Sequence, residues 1–296
     1  MSTFAANFFL MNSKGLHALN AFIEVFGESS VSSVVSSKDL KLKSDSFEEI
    51  KSLCKKKSIS FHERGDRSIK ELDESDTVTF AIGWRWLIPN CNKLIVFHDS
   101  LLPKYRGFAP LVNCLVNGET EVGVTALYAS EDYDAGEIIA QKSLKISYPL
   151  KIAHAIELIE PLYSELVIEI FQKIISGSHL SSKRQCTSAV TYSPWLDEDD
   201  YFIDWRWSSE KIIRFIDAVG FPYDGAKSIV DDLIVNIYDA ELVKDVVVED
   251  RKRHIGKVIF FKDAPVVVCG DGLVKLNRVC SDSGQLINLR FRSRFR

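Results

Sequence analysis

Residues 94–107 read L-I-V-F-H-D-S-L-L-P-K-Y-R-G. The apolar run 94–97 has the length and content of a strand buried on both faces of a parallel sheet. It stops at His98, and Ser100, Pro103 and Gly107 then turn the chain away. Open α/β folds keep their ligands just past the carboxyl ends of the strands. Histidine is also the side chain best suited to move protons near neutral pH. A capping histidine with a basic loop behind it satisfies the same facts, so this stretch alone leaves both readings open.

Working outward, residues 7–11 (N-F-F-L-M) predict a first strand, and residues 12–15 turn it into a helix. Leu16, Leu19, Phe22, Ile23 and Phe26 share one face of that helix. Residues 31–35 predict a second strand, 36–46 a Ser- and Lys-rich loop, Phe47–Lys57 a helix and 59–62 a third strand. This alternation, continued by strands at Thr77–Ile82 and Leu94–His98, predicts a Rossmann-like, doubly wound, mostly parallel sheet. No G-x-G-x-x-G follows the first strand, so a dinucleotide held at that turn has no support. The stretch 83–88 reads G-W-R-W-L-I, two tryptophans around an arginine at a strand end. Core packing with Arg85 in a salt bridge is its plain reading. On the other side, Pro110–Asn117 reads as a helix ending at Gly118. Residues 121–129 and 137–144 read as strands flanking the turn Asp134-Ala135-Gly136. Ile152–Ile175 has the spacing of one long helix, with His154 a surface or core residue of it. Residues 177–185 (G-S-H-L-S-S-K-R-Q) have the composition of a linker.

Two domains are therefore expected, 1–180 and 190–296. The second opens with Y-S-P-W (192–195), an acidic loop (197–200) and F-I-D-W (202–205). A helix follows from Ser208, its N-cap, to Val219, closed by F-P-Y-D-G-A (221–226). Short strands at 233–238, 246–248, 256–261, 265–269 and 273–278 predict a small β-barrel of OB type.

Composition narrows the partners. The 296 residues are 46% hydrophobic and 26% charged, with a net charge of −4. Nothing there marks a binder of polyanions, which weighs against tRNA, whose phosphates call for clustered Lys and Arg. Residues 290–296 (R-F-R-S-R-F-R) are the exception and read as a solvated tail. The six cysteines (54, 91, 114, 186, 269 and 280) have neither metal-ligand spacing nor a C-x-x-C pair. Cys91, Cys114 and Cys269 read as small core residues. No stretch resembles a signal peptide or reaches membrane-spanning length, so free thiols in a reducing cytoplasm are expected, with no metal and no membrane partner.

The string H-x-S-L-L-P-K-Y-R-G resembles the signature of the formyltransferases that use N10-formyltetrahydrofolate. Its echoes follow in that family's order: F-A-P-L-V-N-C-L-V-N-G-E (108–119), G-V-T (123–125) and D-A-G-E-I-I-A-Q (134–141). The resemblance is clear over about 75–175 and weaker over 190–245. There, F-I-D-W and P-Y-x-G-A are similar to the start of the C-terminal domain of sugar and methionyl-tRNA formyltransferases. The resemblance implies that His98 and Asp134 are the catalytic histidine and aspartate, with Asp134 holding His98 and accepting the amine's proton. It implies that Gly83, Trp84, Arg85, Trp86 and Leu87 border the pterin, with Ser100 and Asp132 also on the folate side. Asp99 reads as a solvated loop carboxylate. Lys104, Tyr105 and Arg106 of the signature loop are assigned to the acceptor's diphosphate side, and Trp205, Phe221 or Tyr223 to stacking on its base.

One position departs from the family. Two residues before His98, where the family has Asn, stands Val96. Protonated His98 and a backbone N–H hold the oxyanion; or another amide such as Asn113 moves in; or the protein binds formylfolate without turning it over. The intact strand-to-loop pattern favours the first.

Among acceptors of this family, glycinamide ribonucleotide is disfavoured by the extra domain, and tRNA by the acidic charge. The expectation is a sugar N-formyltransferase acting on a dTDP- or UDP-linked deoxyamino sugar for surface polysaccharide. Methionyl-tRNA formyltransferase and a folate-binding protein without transfer activity are the alternatives. Dimers are common among the resembled sugar enzymes, and the apolar strands of the second domain offer an interface for one.

Overall fold

The computed structural model describes residues 4–66, 77–88, 93–261, 263–287 and 289–296, so the expectation for Cys91 lies outside the described residues. Two compact units emerge: Met1–Pro110, Glu121–Lys145 and Ile156–Ser193 form the first, and Leu111–Thr120, Ile146–Ala155 and Pro194–Arg296 the second.

The first unit is built on β1 (Ala5–Leu10), α1 (Asn12–Phe26), β2 (Val31–Ser36), α2 (Phe47–Lys57), β3 (Ser60–Glu63), β4 (Thr77–Ile82) and β5 (Leu94–His98). After β5 the chain continues through β6 (Arg106–Gly107), α3 (Pro110–Asn117), whose residues from Leu111 on belong to the second unit, β7 (Glu121–Tyr128), β8 (Ile138–Lys145), α4 (Ile152–Ile175), which belongs to the first unit from Ile156 on, and β9 (Tyr192–Ser193). Seven strands join in the order β3-β2-β1-β4-β5-β7-β8. The first five are parallel, while β7 runs antiparallel to β5 and β8 antiparallel to β7. Five of the six residues of β1 and of β4 are buried, as their mostly apolar sequences require at the centre of a sheet covered on both faces. On one face Phe22 of α1 meets Phe8 edge-on at 5.0 Å and Phe171 of α4 at 4.7 Å. Fully burying such a ring contributes about 1.5–3 kcal/mol, which fixes α1 and α4 against the sheet.

In the second unit, α5 (Ser209–Ala218) is capped by Ser208, whose hydroxyl accepts the Lys211 N–H. Its buried face (Ile212, Ile213, Phe215, Ile216) lies on five antiparallel strands: β10 (Ala226–Val230), β11 (Leu233–Val243), β12 (Val258–Phe261), β13 (Pro265–Val268) and β14 (Leu273–Ser281). Their order is β10-β11-β14-β13-β12. Two expectations are corrected here. Residues 246–248 form no strand, because the Arg251 guanidinium gathers that loop by bonding Asp245 at 2.7 Å and the Val246 carbonyl at 2.9 Å. Ala226, taken as the end of the closing turn 221–226, opens a further strand, Ala226–Val230, whose alternate residues are buried.

The arginine-rich stretch 290–296 is the third correction. Phe295 N–H bonds Gly256 O at 2.8 Å and Val258 N–H bonds Ser293 O at 3.0 Å on the β12 side. On the β10 side, Ile229 and Arg296 exchange N–H···O bonds of 2.8 and 3.0 Å. Residues 293–296 therefore close the sheet between its two edge strands, and Phe295 packs inside against Trp205 at 5.2 Å. A solvated tail would have left both edges open.

Buried Asp217 of α5 is the least comfortable group in this unit. Desolvation pushes its carboxyl from 3.8 up to about 6, with Lys151 pulling it down and Asp239 pushing it up. Below its unfolded value the carboxyl is neutral in both states. As pH rises from about 4 through 6 the unfolded chain ionises it first, so folding stability falls and stays lower above that window. Asp217→Asn should stabilise the protein at pH 8 by about 2–3 kcal/mol and change little at pH 4, read by urea unfolding at both pH values.

No helix among the described residues is long and apolar enough to cross a membrane. Among the described residues Cys54, Cys186, Cys269 and Cys280 are free thiols, and no His, Cys, Asp and Glu group could hold a metal ion.

Candidate active site

At the carboxyl end of β5 the period of two puts His98 on the same face as Val96 and directly opposite Thr125 of β7. Thr125 is the brace of the loop that follows. Its hydroxyl donates to Ser100 O at 2.6 Å, accepts the Leu102 N–H at 3.1 Å and meets the Gln141 amide at 2.9 Å. The Gln141 amide reaches the Leu102 carbonyl as well, at 2.9 Å. The G-V-T and D-A-G-E-I-I-A-Q echoes of the signature thus have a structural reason. Gly123 also fits: a Cβ there would lie 2.3 Å from Lys142 O. Ser100 is corrected from a folate contact to a loop staple, because its buried hydroxyl donates to Lys104 O at 2.7 Å.

His98 is buried, at 7% exposure, and both of its ring nitrogens face a partner. Nε2 lies 2.7 Å from the Tyr105 carbonyl. A carbonyl can only accept, so Nε2 carries the hydrogen and Nδ1 is the nitrogen left to take and pass a proton. Nδ1 stands 3.5 Å from Oδ2 of Asp134, and that same oxygen accepts the Gly107 N–H at 2.8 Å. Asp134 reaches this position from a turn with φ of 50°, tolerable for Asp, and Gly136 follows where a Cβ would lie 1.8 Å from Tyr128 O. Only glycine permits that approach. The two residues that the signature singles out are brought together across 36 positions of sequence.

Residues 177–185, expected to be a linker, and the residues after them up to 193 are bonded to the site. Lys183 exchanges backbone hydrogen bonds of 2.8 and 2.9 Å with Ile138. Gln185 bonds the carbonyls of Asp134 and Gly136 and accepts both Nε and Nη2 of Arg106. Thr191 receives the Tyr105 N–H on its hydroxyl at 2.8 Å, and the pair Tyr192–Ser193 lies parallel to Arg106–Gly107. Sequence reasoning missed Thr125, Gln141, Gln185 and Thr191. The signal for the first two was their place in the echoes, whereas nothing local marks the last two.

The remaining candidates divide. Trp84 meets Phe9 edge-on at 5.2 Å and Trp86 at 5.1 Å, and it joins an apolar wall of Phe9, Val35, Ala81, Ile88, Leu94 and Val96. Its indole N–H is buried without a hydrogen-bond partner among the described residues. Arg85 pairs with buried Asp39, donating through Nη1 at 3.0 Å, so the salt-bridge reading of that residue holds. Gly83 stands between the wall and β4, Leu87 is exposed, and Asp132 is an exposed loop residue. Asp99 is corrected from a solvated carboxylate to one paired with Lys14. Arg106, buried and committed to Gln185, is corrected from a phosphate contact to a clamp, and Tyr105 acts through its backbone. Lys104 remains exposed at the loop tip. In the second unit, Trp205 is a core residue whose N–H donates to Ser228 at 2.9 Å, which removes it as a stacking platform. Phe221 is exposed, Tyr223 half-buried, and Asn113 sits on α3.

The first unit thus holds a histidine at the end of a central strand, a carboxylate clamped beside it and an aromatic-lined wall in a doubly wound domain. The chain belongs to the formyl transferase family: residues 13–153 match the formyl transferase domain and 196–292 the formyl transferase C-terminal domain. Among its relatives, the methionyl-tRNA formyltransferase of Thermodesulfovibrio yellowstonii is 32% identical over 182 residues, 62% of this chain and 56% of that enzyme. That of Staphylococcus aureus is 34% identical over 157 residues, 53% and 50% of the two chains. The chain thus spans about half the length of the curated relatives it matches. Among solved structures, the sugar 3N-formyl transferase WlaRD, crystallised with dTDP and 5-N-formyl-THF, superposes with a TM-score of 0.69 over 98% of this chain and 100% of its own, at 16% identity. The N-formyltransferase of Helicobacter canadensis, in complex with folinic acid and dTDP-3-aminofucose, gives 0.69 over 92% and 98%, also at 16%. At that identity the likeness is one of fold.

Proposed function

We propose that the protein is an N-formyltransferase that moves the formyl group of N10-formyltetrahydrofolate to the amine of a nucleotide-linked deoxyamino sugar. The observation that carries the reading is the His98–Asp134 couple, held by Tyr105 and Gly107 at the end of β5. The co-substrate supplies the activated formyl group. The wall beside His98 suits a flat heteroaromatic ring: apolar side chains cover one face, and the orphaned Trp84 N–H offers a donor to a ring-edge acceptor. His98 Nδ1 takes the proton that the amine gives up as its nitrogen bonds the formyl carbon, Asp134 stabilises the imidazolium so formed, and the proton passes on to N10 as the C–N10 bond breaks and tetrahydrofolate leaves. With Nε2 tied to Tyr105 O, the ring can serve the reacting atoms only through Nδ1. Lys104, exposed in the signature loop, meets the acceptor's diphosphate.

The sugar is favoured by the net charge of −4 and by superposition on WlaRD across both full lengths. The curated relatives, all methionyl-tRNA formyltransferases among those named above, favour tRNA as the second reading. Incubation with N10-formyltetrahydrofolate and a panel of dTDP- and UDP-linked amino sugars, alongside methionyl-tRNA, separates them by mass spectrometry. One formyl group gained by a sugar supports the first, and formylation of the tRNA alone replaces it with the second.

Val96 lies between Ala81 and Leu127 on neighbouring strands and packs into the wall and into Leu102 and Ile138. An amide there is surrounded by apolar groups. Val96→Asn should destabilise the fold by about 1–3 kcal/mol and leave kcat within about three-fold. A gain of about 10²-fold, the worth of an oxyanion donor, would show that Val96 limits transfer.

A further inference from the structure

We infer that Gln185 is a positioning residue of the active site: its side-chain amide fixes the turn that carries Asp134 against the signature loop that carries His98's other partner. The inference rests on the catalytic roles proposed above and adds a residue that lies outside the signature, in a stretch with the composition of a linker.

The hydrogen bonding of Gln185 is complete and divided by chemistry. Its NH2 donates to Asp134 O at 2.7 Å and to Gly136 O at 2.8 Å. Its Oε1 accepts Arg106 Nη2 at 2.8 Å and Nε at 3.0 Å. Two donors and two acceptor positions are what a primary amide has, and among uncharged side chains only Asn shares that set, one methylene shorter. One end holds the D-A-G turn from both sides of Ala135, where Asp134 is kept at φ of 50°. The other end holds buried Arg106, next to Tyr105, whose carbonyl takes the His98 Nε2 hydrogen, and next to Gly107, whose N–H meets Asp134 Oδ2.

The same strap secures the second partner. Thr191 Oγ1 accepts the Tyr105 N–H at 2.8 Å, and Thr191 O accepts the Arg106 N–H at 2.9 Å. Both atoms that fix the His98 ring are thereby referred to residues 185–193. The 3.5 Å contact between Nδ1 and Asp134 is the loosest in the network and the one most sensitive to a small shift of the turn.

The decisive variant is Gln185→Glu. Its carboxylate keeps Arg106 paired, which preserves the fold, but sets an acceptor against the Asp134 and Gly136 carbonyls where Gln had donors. We expect kcat to fall about 10–100-fold, with KM for N10-formyltetrahydrofolate within about two-fold of the parent. In two-bond ¹H–¹⁵N spectra the His98 Nδ1 resonance should move in this variant and in Thr191→Val the Nε2 resonance should move. Ser182→Ala, which breaks a bond from the same strap to Glu137, should move neither. A kcat within two-fold of the parent, or a His98 Nδ1 resonance unchanged in Gln185→Glu, overturns the inference. The spectra need no turnover, so they decide the role of Gln185 even if the parent protein transfers no formyl group, a result that would sink only the proposed function.

Discussion

His98→Asn and Asp134→Asn should each lower formyl transfer by about 10²–10⁴-fold, the range that a positioned proton-transfer group supplies. Both variants should fold. An Asn at 134 still presents a carbonyl oxygen to the Gly107 N–H, now 2.8 Å from the carboxylate, while losing the negative charge that faces Nδ1. An Asn at 98 keeps an amide hydrogen for the Tyr105 carbonyl but removes the only nitrogen in the couple that can accept a proton. The losses should not multiply: if the two groups act as one unit, the double variant is about as impaired as the worse single one. Steady-state turnover of the three variants, with melting curves to verify folding, checks this. Near-parental turnover in either single variant removes the couple from the mechanism.

Among single substitutions, Phe295→Ala should have the largest effect on stability, about 3–5 kcal/mol. The ring is 2% exposed and packs on Trp205 at 5.2 Å, and its backbone is part of the stretch that closes the barrel. Removing residues 293–296 should do more. It frees the Gly256, Ile229 and Val258 backbone groups on both edge strands and takes away Arg296 O, the acceptor of the Ser228 hydroxyl that itself receives the Trp205 N–H. Arg292→Ala, an exposed neighbour, should change stability by no more than about 0.5 kcal/mol. Urea unfolding of the three proteins tests the closure, and a truncated chain as stable as the parent would restore the picture of a solvated tail.

How much of this was legible beforehand depended on where the determining contacts lie. The strands and helices from Leu94–His98 to Ile152–Ile175 follow from apolar period and turn residues, and the structure has them there. His98 and Asp134 were readable because a local motif fixes each. What the chain hides are pairings between distant stretches. Residues 290–296 look like a charged tail because alternation of Arg and Phe is visible, whereas the two strand edges that accept it are not. Residues 177–185 look like a linker because Ser, Gly and Lys carry no hydrophobic pattern. Its value lies in Gln185 meeting Arg106, 79 positions away, and Asp134, 51 positions away. Trp205 was misread for a related reason, since a tryptophan's burial is decided by what packs on it. Arg106 was misread because its guanidinium suits a phosphate as well as it suits Gln185.

The central claim is that His98 and Asp134 drive transfer of a formyl group to an amine. The most direct measurement is tetrahydrofolate release, followed optically and matched against formylated acceptor by mass, when a nucleotide-linked amino sugar is added to the protein with N10-formyltetrahydrofolate. The account predicts one tetrahydrofolate for each formylated sugar in the parent protein and loss of both in Asp134→Asn. Folate that binds tightly yet is never deformylated, with any acceptor, would contradict it.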